Sequence, residues 1–103
     1  MEYQLIIQFP AESLDDFDAL VRLEDRMIGA VGSAANIDGH DFGSGEANIF
    51  IITSDPKATF DLLRNQLELQ GILDQCKVAH REISGEQYTV LWPADFKGVF
   101  MVL

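Results

Sequence analysis

The 103 residues (11.5 kDa) are 48% hydrophobic and 23% charged, a balance that suits one globular domain spanning residues 1–103 and excludes a disordered chain. Seventeen acidic residues against seven basic ones leave a net charge of −10, which repels phosphate backbones and anionic lipid, so nucleic acid and membrane surfaces are not expected partners. One cysteine, Cys76, excludes an internal disulfide and a multi-cysteine zinc site, and it suits a reducing compartment.

The opening "MEYQLIIQFP" has an acid at position two and no basic run, so it reads as neither signal peptide nor membrane anchor. The expectation is a soluble, cytoplasmic protein. Tyr3 to Pro10 is rich in β-formers and stops at a proline, as a strand does. Ser13 then starts a helix: its hydroxyl with Asp16 three positions on approximates a capping box, and Asp15 and Asp16 suit the positive helix end. Phe17, Leu20, Val21, Met27, Ile28 and Val31 recur at helical spacing and form one apolar stripe, which Gly29 and Gly32 end.

Ala34 to Phe42 and Glu46 to Thr53 form a strand pair. "SDPKATFDLLRNQLELQG" is a second helix, capped by Asp55, with Pro56 in its first turn and Gly71 at its end. Phe60, Leu63 and Leu67 are its stripe, widened by Leu62 and Leu69. "KVAHREI" and "QYTVLWP" flank "SGE" as another hairpin, with Trp92 turned to the core, and "GVFMVL" closes the chain. That last piece is short, uncharged and β-prone; it should pair within the sheet, pack under the helices or meet another subunit.

The hairpin between the middle strands sets which side chains share a face. A three-residue connection, Gly43 to Gly45, puts Phe42 opposite Glu46, His40 opposite Asn48 and Asp38 opposite Phe50. Those six then lie on one face, with Gln4 and Gln8 of the first strand beside them. Ala35, Ile37, Gly39, Asp41, Ala47, Ile49, Ile51 and Thr53 face the helices, and Asp41 alone breaks the aliphatic pattern.

Asp38, His40, Phe42, Glu46, Asn48 and Phe50 are therefore the candidate binding surface. Asp38, His40 and Glu46 supply ligand types for a metal, and two carboxylates beside one histidine can poise a general base. Alternate strand residues are only neighbours, though, so a solvated sheet face accounts for the same pattern, and no metal or other cofactor is expected. "GSGE" offers backbone amides to an anion but lacks the lysine and following helix of a P-loop. Cys76 and His80 share one side of a strand about 13 Å apart, too far for a thiol–imidazole dyad, so Cys76 reads as a packed free cysteine. No G-x-S-x-G elbow surrounds any serine.

The order strand, helix, strand, strand, helix, strand resembles the ferredoxin-like superfold over residues 3–92, with "LWPADFKGVFMVL" appended. "DGHDFGSGEANIFIITSDP" is also similar to stretches of small bacterial proteins that carry no established activity. The resemblance implies an α+β sandwich, two helices on one face of an antiparallel sheet, with one or two extra C-terminal strands. The metal-carrier subtype is not matched, because "PAES" stands where its paired-cysteine loop belongs, and the charge opposes the RNA-binding subtype. The dimeric barrel subtype, whose subunits meet through open sheet faces, implies a homodimer. The expected function is non-catalytic binding or regulation of a protein or small molecule through the open face, including inhibition of a basic partner. The alternative is a small acid–base or metal-assisted enzyme using His40 with Asp38 or Glu46.

Overall fold

A computed structural model describes residues 1–14 and 17–102. In chain order the elements are β1 (Tyr3–Pro10), α1 (Phe17–Val31), β2 (Ala35–Gly43), β3 (Glu46–Thr53), α2 (Pro56–Leu69), β4 (Lys77–Glu82) and β5 (Thr89–Trp92). The sheet runs β2-β3-β1-β4-β5 with every neighbouring pair antiparallel. This is the expected α+β, ferredoxin-like arrangement with one appended strand. Among the described residues, no helix is long and apolar enough to cross a membrane.

Both helices cover one face. Leu5, Ile7 and Phe9 of β1, Ala47, Ile49 and Ile51 of β3, and Val78 of β4 meet Leu20, Leu23, Met27 and Val31 of α1 and Phe60, Leu63 and Leu67 of α2. Full burial of each aliphatic side chain here stabilises by roughly 1.5–3 kcal/mol. Asp55 caps α2 as expected, its Oδ1 accepting the Ala58 N–H at 3.1 Å, and Pro56 opens the first turn. Trp92 packs against this core, its Nε1 donating to the Leu73 carbonyl at 2.9 Å.

Four expectations change. Ser13 lies in a short 3-10 turn ahead of α1 and donates to Gln75 Oε1 at 2.7 Å; its expected capping-box partner Asp16, and Asp15 beside it, lie outside the described residues. Only part of the α1 stripe is core: Leu20, Met27 and Val31 are buried, whereas Phe17, Val21 and Ile28 are exposed, as are Leu62 and Leu69 of α2. The helix-side core instead takes Ala19 and Leu23. Finally, the terminal apolar segment is not a strand. Phe100 is buried on the face opposite the helices with Ile6 and Ala79, and Phe50, Tyr88, Val90 and Val102 pack around it. The face expected to be open is thus partly covered by the chain itself.

Candidate functional site

The β2–β3 hairpin turns on two residues. Ser44 and Gly45 both take positive φ, 52° and 80°, as a tight hairpin turn matched to strand twist requires, and Gly43 pairs with Glu46. The partners of β2 from Gly39 to Phe42 therefore move by one: Phe42 opposes Ala47, His40 opposes Ile49, and Asp41 opposes Asn48. A bulge at Asp38, next to Gly39 at φ 148°, then restores Ile37 to its place opposite Ile51. A one-residue slip exchanges faces.

The six candidate residues consequently divide. Glu46, Asn48 and Phe50 lie on the face away from the helices, as expected, while His40 and Phe42 go to the helix side and Asp38 sits in the bulge. Asp41, which broke the aliphatic pattern, belongs with Asn48. Asp38, His40 and Glu46 do not converge, and among the described residues no group of three or more His, Cys, Asp or Glu side chains is placed to hold a metal ion.

What surrounds His40 is a surface between α1 and β2. Its Nδ1 lies 2.8 Å from Glu24 Oε1 of α1. Its ring stands edge-on to Phe17 (centroids 5.5 Å) and to Phe42 (5.9 Å), so three rings run from helix to strand. Phe17, Val21 and Ile28 are 52%, 39% and 52% exposed and Phe42 is 53% exposed. At 100° per residue these three α1 positions fall within roughly 40° of one another, forming one row. Exposed Asp18 and Asp25 flank the row on α1, and exposed Asp38 stands in the β2 bulge, whereas Asp41 turns to the opposite face with Asn48. Beyond Phe42 the sheet ends, because β2 is an edge strand.

On the opposite face the polar residues form a relay. Asn48 Nδ2 donates to Asp41 Oδ1 at 3.1 Å, and Gln8 Nε2 donates to Asn48 Oδ1 at 3.0 Å and to the Met101 carbonyl at 2.8 Å. Gln8 and Asn48 are both buried. The relay satisfies their amides and ties the terminal segment across the sheet.

A half-open cavity of about 440 Å³ lies at the far end of β4, lined by Tyr3, His80, Arg81, Glu82, Glu86 and Thr89 among others. Burial lowers the His80 pKa from its usual 6.5, and its Nδ1 is buried with no hydrogen-bond partner among the described residues. Cys76 is a buried free thiol whose pKa burial pushes up to about 12, so it is no nucleophile at neutral pH.

Sequence reasoning passed over Glu24, Arg81 and the outward role of Phe17, Val21 and Ile28. A signal for the last was present. The apolar positions of α1 together span roughly 200° of the helix at 100° per residue, more than one sheet face covers. Compared with models of protein families and with curated proteins, the chain matches none.

Proposed function

We propose that this protein is a non-catalytic binding module whose α1–β2 surface docks a basic polypeptide, in the manner of an acidic inhibitor. The observation that carries this reading is the row Phe17, Val21, Ile28 and Phe42, left exposed beside a sheet edge, with Asp18 and Asp25 beside it on α1 and Asp38 in the neighbouring β2 bulge. An exposed apolar row with a charged rim is the anatomy of a protein interface, aromatic at its centre and polar outside. Arg22 is the exposed base on this stretch of α1; Arg26 is turned to α2, where it bonds Gln70. Acidic rim and net charge of −10 select a basic partner and speed its approach. They oppose self-association, since a second copy brings the same charge to the same surface.

The bulge at Asp38 blunts the β2 edge against strand addition, so side chains rather than backbone would make the contact. The terminal segment already occupies the other sheet face, which supports placing the surface on α1 and β2.

The test compares the native chain with Phe17→Ser/Ile28→Ser as bait in cell extract. Both positions are more than half exposed, so the double variant should keep its stability to about 1 kcal/mol. The expected outcome is a basic protein retained by the native bait, released as salt is raised to about 0.5 M, and lost with the variant. Equal retention by both baits, or a native chain that light scattering shows to be a dimer through these residues, overturns the proposal.

A further inference from the structure

The cavity at the end of β4 lies at the opposite edge of the sheet from the α1–β2 surface and is independent of it. It exists because β5 starts late. Thr89 pairs with His80, so Arg81 and Glu82 of β4 have no β5 neighbour, and residues 83–88 run as a loop past them. The volume, about 440 Å³, falls in the range of small-molecule sites, roughly 300–1,000 Å³.

Its charges are placed unusually. Arg81 Nη1 donates to the carbonyls of Glu82 (3.3 Å), Ile83 (3.0 Å) and Gly85 (3.0 Å), which fixes the guanidinium as part of the loop. Carbonyls orient a guanidinium without neutralising it. Arg81 forms no ion pair with a carboxylate among the described residues, and its Nε and Nη2 stay available as a second donor edge. Glu82 and Glu86 line the same cavity yet neither pairs with it. Opposite charges thus face one space without meeting.

The remaining walls are polar and neutral. The Tyr3 ring stands edge-on to His80, centroids 5.6 Å apart, and holds the imidazole in place. The His80 Nδ1, buried without a hydrogen-bond partner among the described residues, belongs to the same wall. Thr89 adds a hydroxyl.

We propose that this cavity binds a small zwitterion, a molecule with one carboxylate and one ammonium group such as a free α-amino acid, its carboxylate on Arg81 and its ammonium on Glu82 and Glu86. A simple anion would be repelled by those glutamates and by the net charge of −10, and a simple cation would face the fixed guanidinium. A zwitterion is neutral overall and answers both.

The experiment follows amide and Arg81 Nε–H signals of the intact chain by NMR while each of the common α-amino acids is added. Additions reach about 10 mM, above the roughly millimolar affinity expected for so small a ligand. Sodium acetate and ethylammonium chloride serve as single-charge probes. At least one amino acid should give saturable shifts at Arg81, Gly85, Glu86 and Thr89, with both single-charge probes at least about tenfold weaker. Glu82→Gln/Glu86→Gln, which alters two exposed side chains, should weaken binding by about tenfold or more and leave shifts elsewhere in place. No saturable shift from any amino acid, acetate binding as tightly as an amino acid, or an unaffected double variant overturns the proposal.

Discussion

Phe100→Ala tests whether the terminal segment belongs to the fold. Phe100 is 6% exposed and completes a small cluster with Ile6 and Ala79 on the sheet face away from the helices. A buried phenylalanine removes roughly 150–200 Å² of apolar surface from water, worth about 4 kcal/mol at 25 cal/mol per Å² and about 3 kcal/mol after allowing for a compact unfolded chain. A central core site would add a cavity term. Here the segment is irregular and, among the described residues, one side-chain hydrogen bond, Gln8 to the Met101 carbonyl, holds it, so it can relax or detach. Detachment also returns roughly 1–2 kcal/mol of backbone entropy per released residue. The net expectation is a loss of about 2 kcal/mol, or a fall in Tm on the order of 10 °C. Urea titration followed by Trp92 fluorescence reads it, because Trp92 packs in the helix-side core and reports global unfolding. Val99→Ala, at a side chain 80% exposed, should change stability by less than about 0.5 kcal/mol. A Phe100→Ala effect no larger than that of Val99→Ala would refute the docking of this segment.

Stability should form a plateau in pH with a shoulder at each end. Above pH 9 the unfolded Cys76 thiol ionises while the folded one, at about 12, does not, so stability falls by about 1.4 kcal/mol per pH unit until the folded thiol also ionises; Cys76→Ala should flatten this limb in urea midpoints measured against pH. Below pH 6.5 the unfolded His80 takes a proton that the folded, partly buried ring resists, so the stability present above 6.5 is lost as pH falls through the lower folded value; an NMR titration in which His80 follows a model imidazole would contradict this. Asp55→Ala, which removes the acceptor of the Ala58 N–H, should cost about 1 kcal/mol by thermal unfolding, with Asp55→Asn retaining most of it.

The order of elements, the capped start of α2 and the alternation of β3 were legible because each rests on local chemistry. Asp55 and Pro56 announce a helix start, and Ala47, Ile49 and Ile51 announce a buried strand face. The register of β2 was not legible. "GSG" offers a glycine at either end of the turn, so it closes a two- or a three-residue loop, and loop length decides the parity of the β2 side chains between the turn and the bulge. What is seen instead is long-range: the Ala11 N–H donates to the Gly45 carbonyl at 2.9 Å and joins the turn to the end of β1. The bulge at Asp38 then divides β2 in two. Periodicity likewise showed that α1 is apolar on one side, but not how much of that side the sheet reaches. Phe17 and Ile28 repeat as faithfully as Leu20 and Met27, and only packing separates them.

His40 and Asn48 show why polar density in a strand is a poor guide to a site. Both stood in the most polar stretch of the sequence, and the register places them on opposite faces. Asn48 is buried and bonded on both sides, to Asp41 and to Gln8, so its polarity is consumed in tying down the terminal segment. A buried amide held in such a relay is out of a partner's reach. His40 is half-buried, spends one nitrogen on Glu24, and presents its ring between two phenylalanines that remain in water. The residues on which the proposed docking rests are therefore the apolar ones. Leaving Phe17 and Phe42 half-exposed forgoes burial energy that a monomer would ordinarily use, and an acidic border around them admits a basic surface more readily than another copy of the same chain.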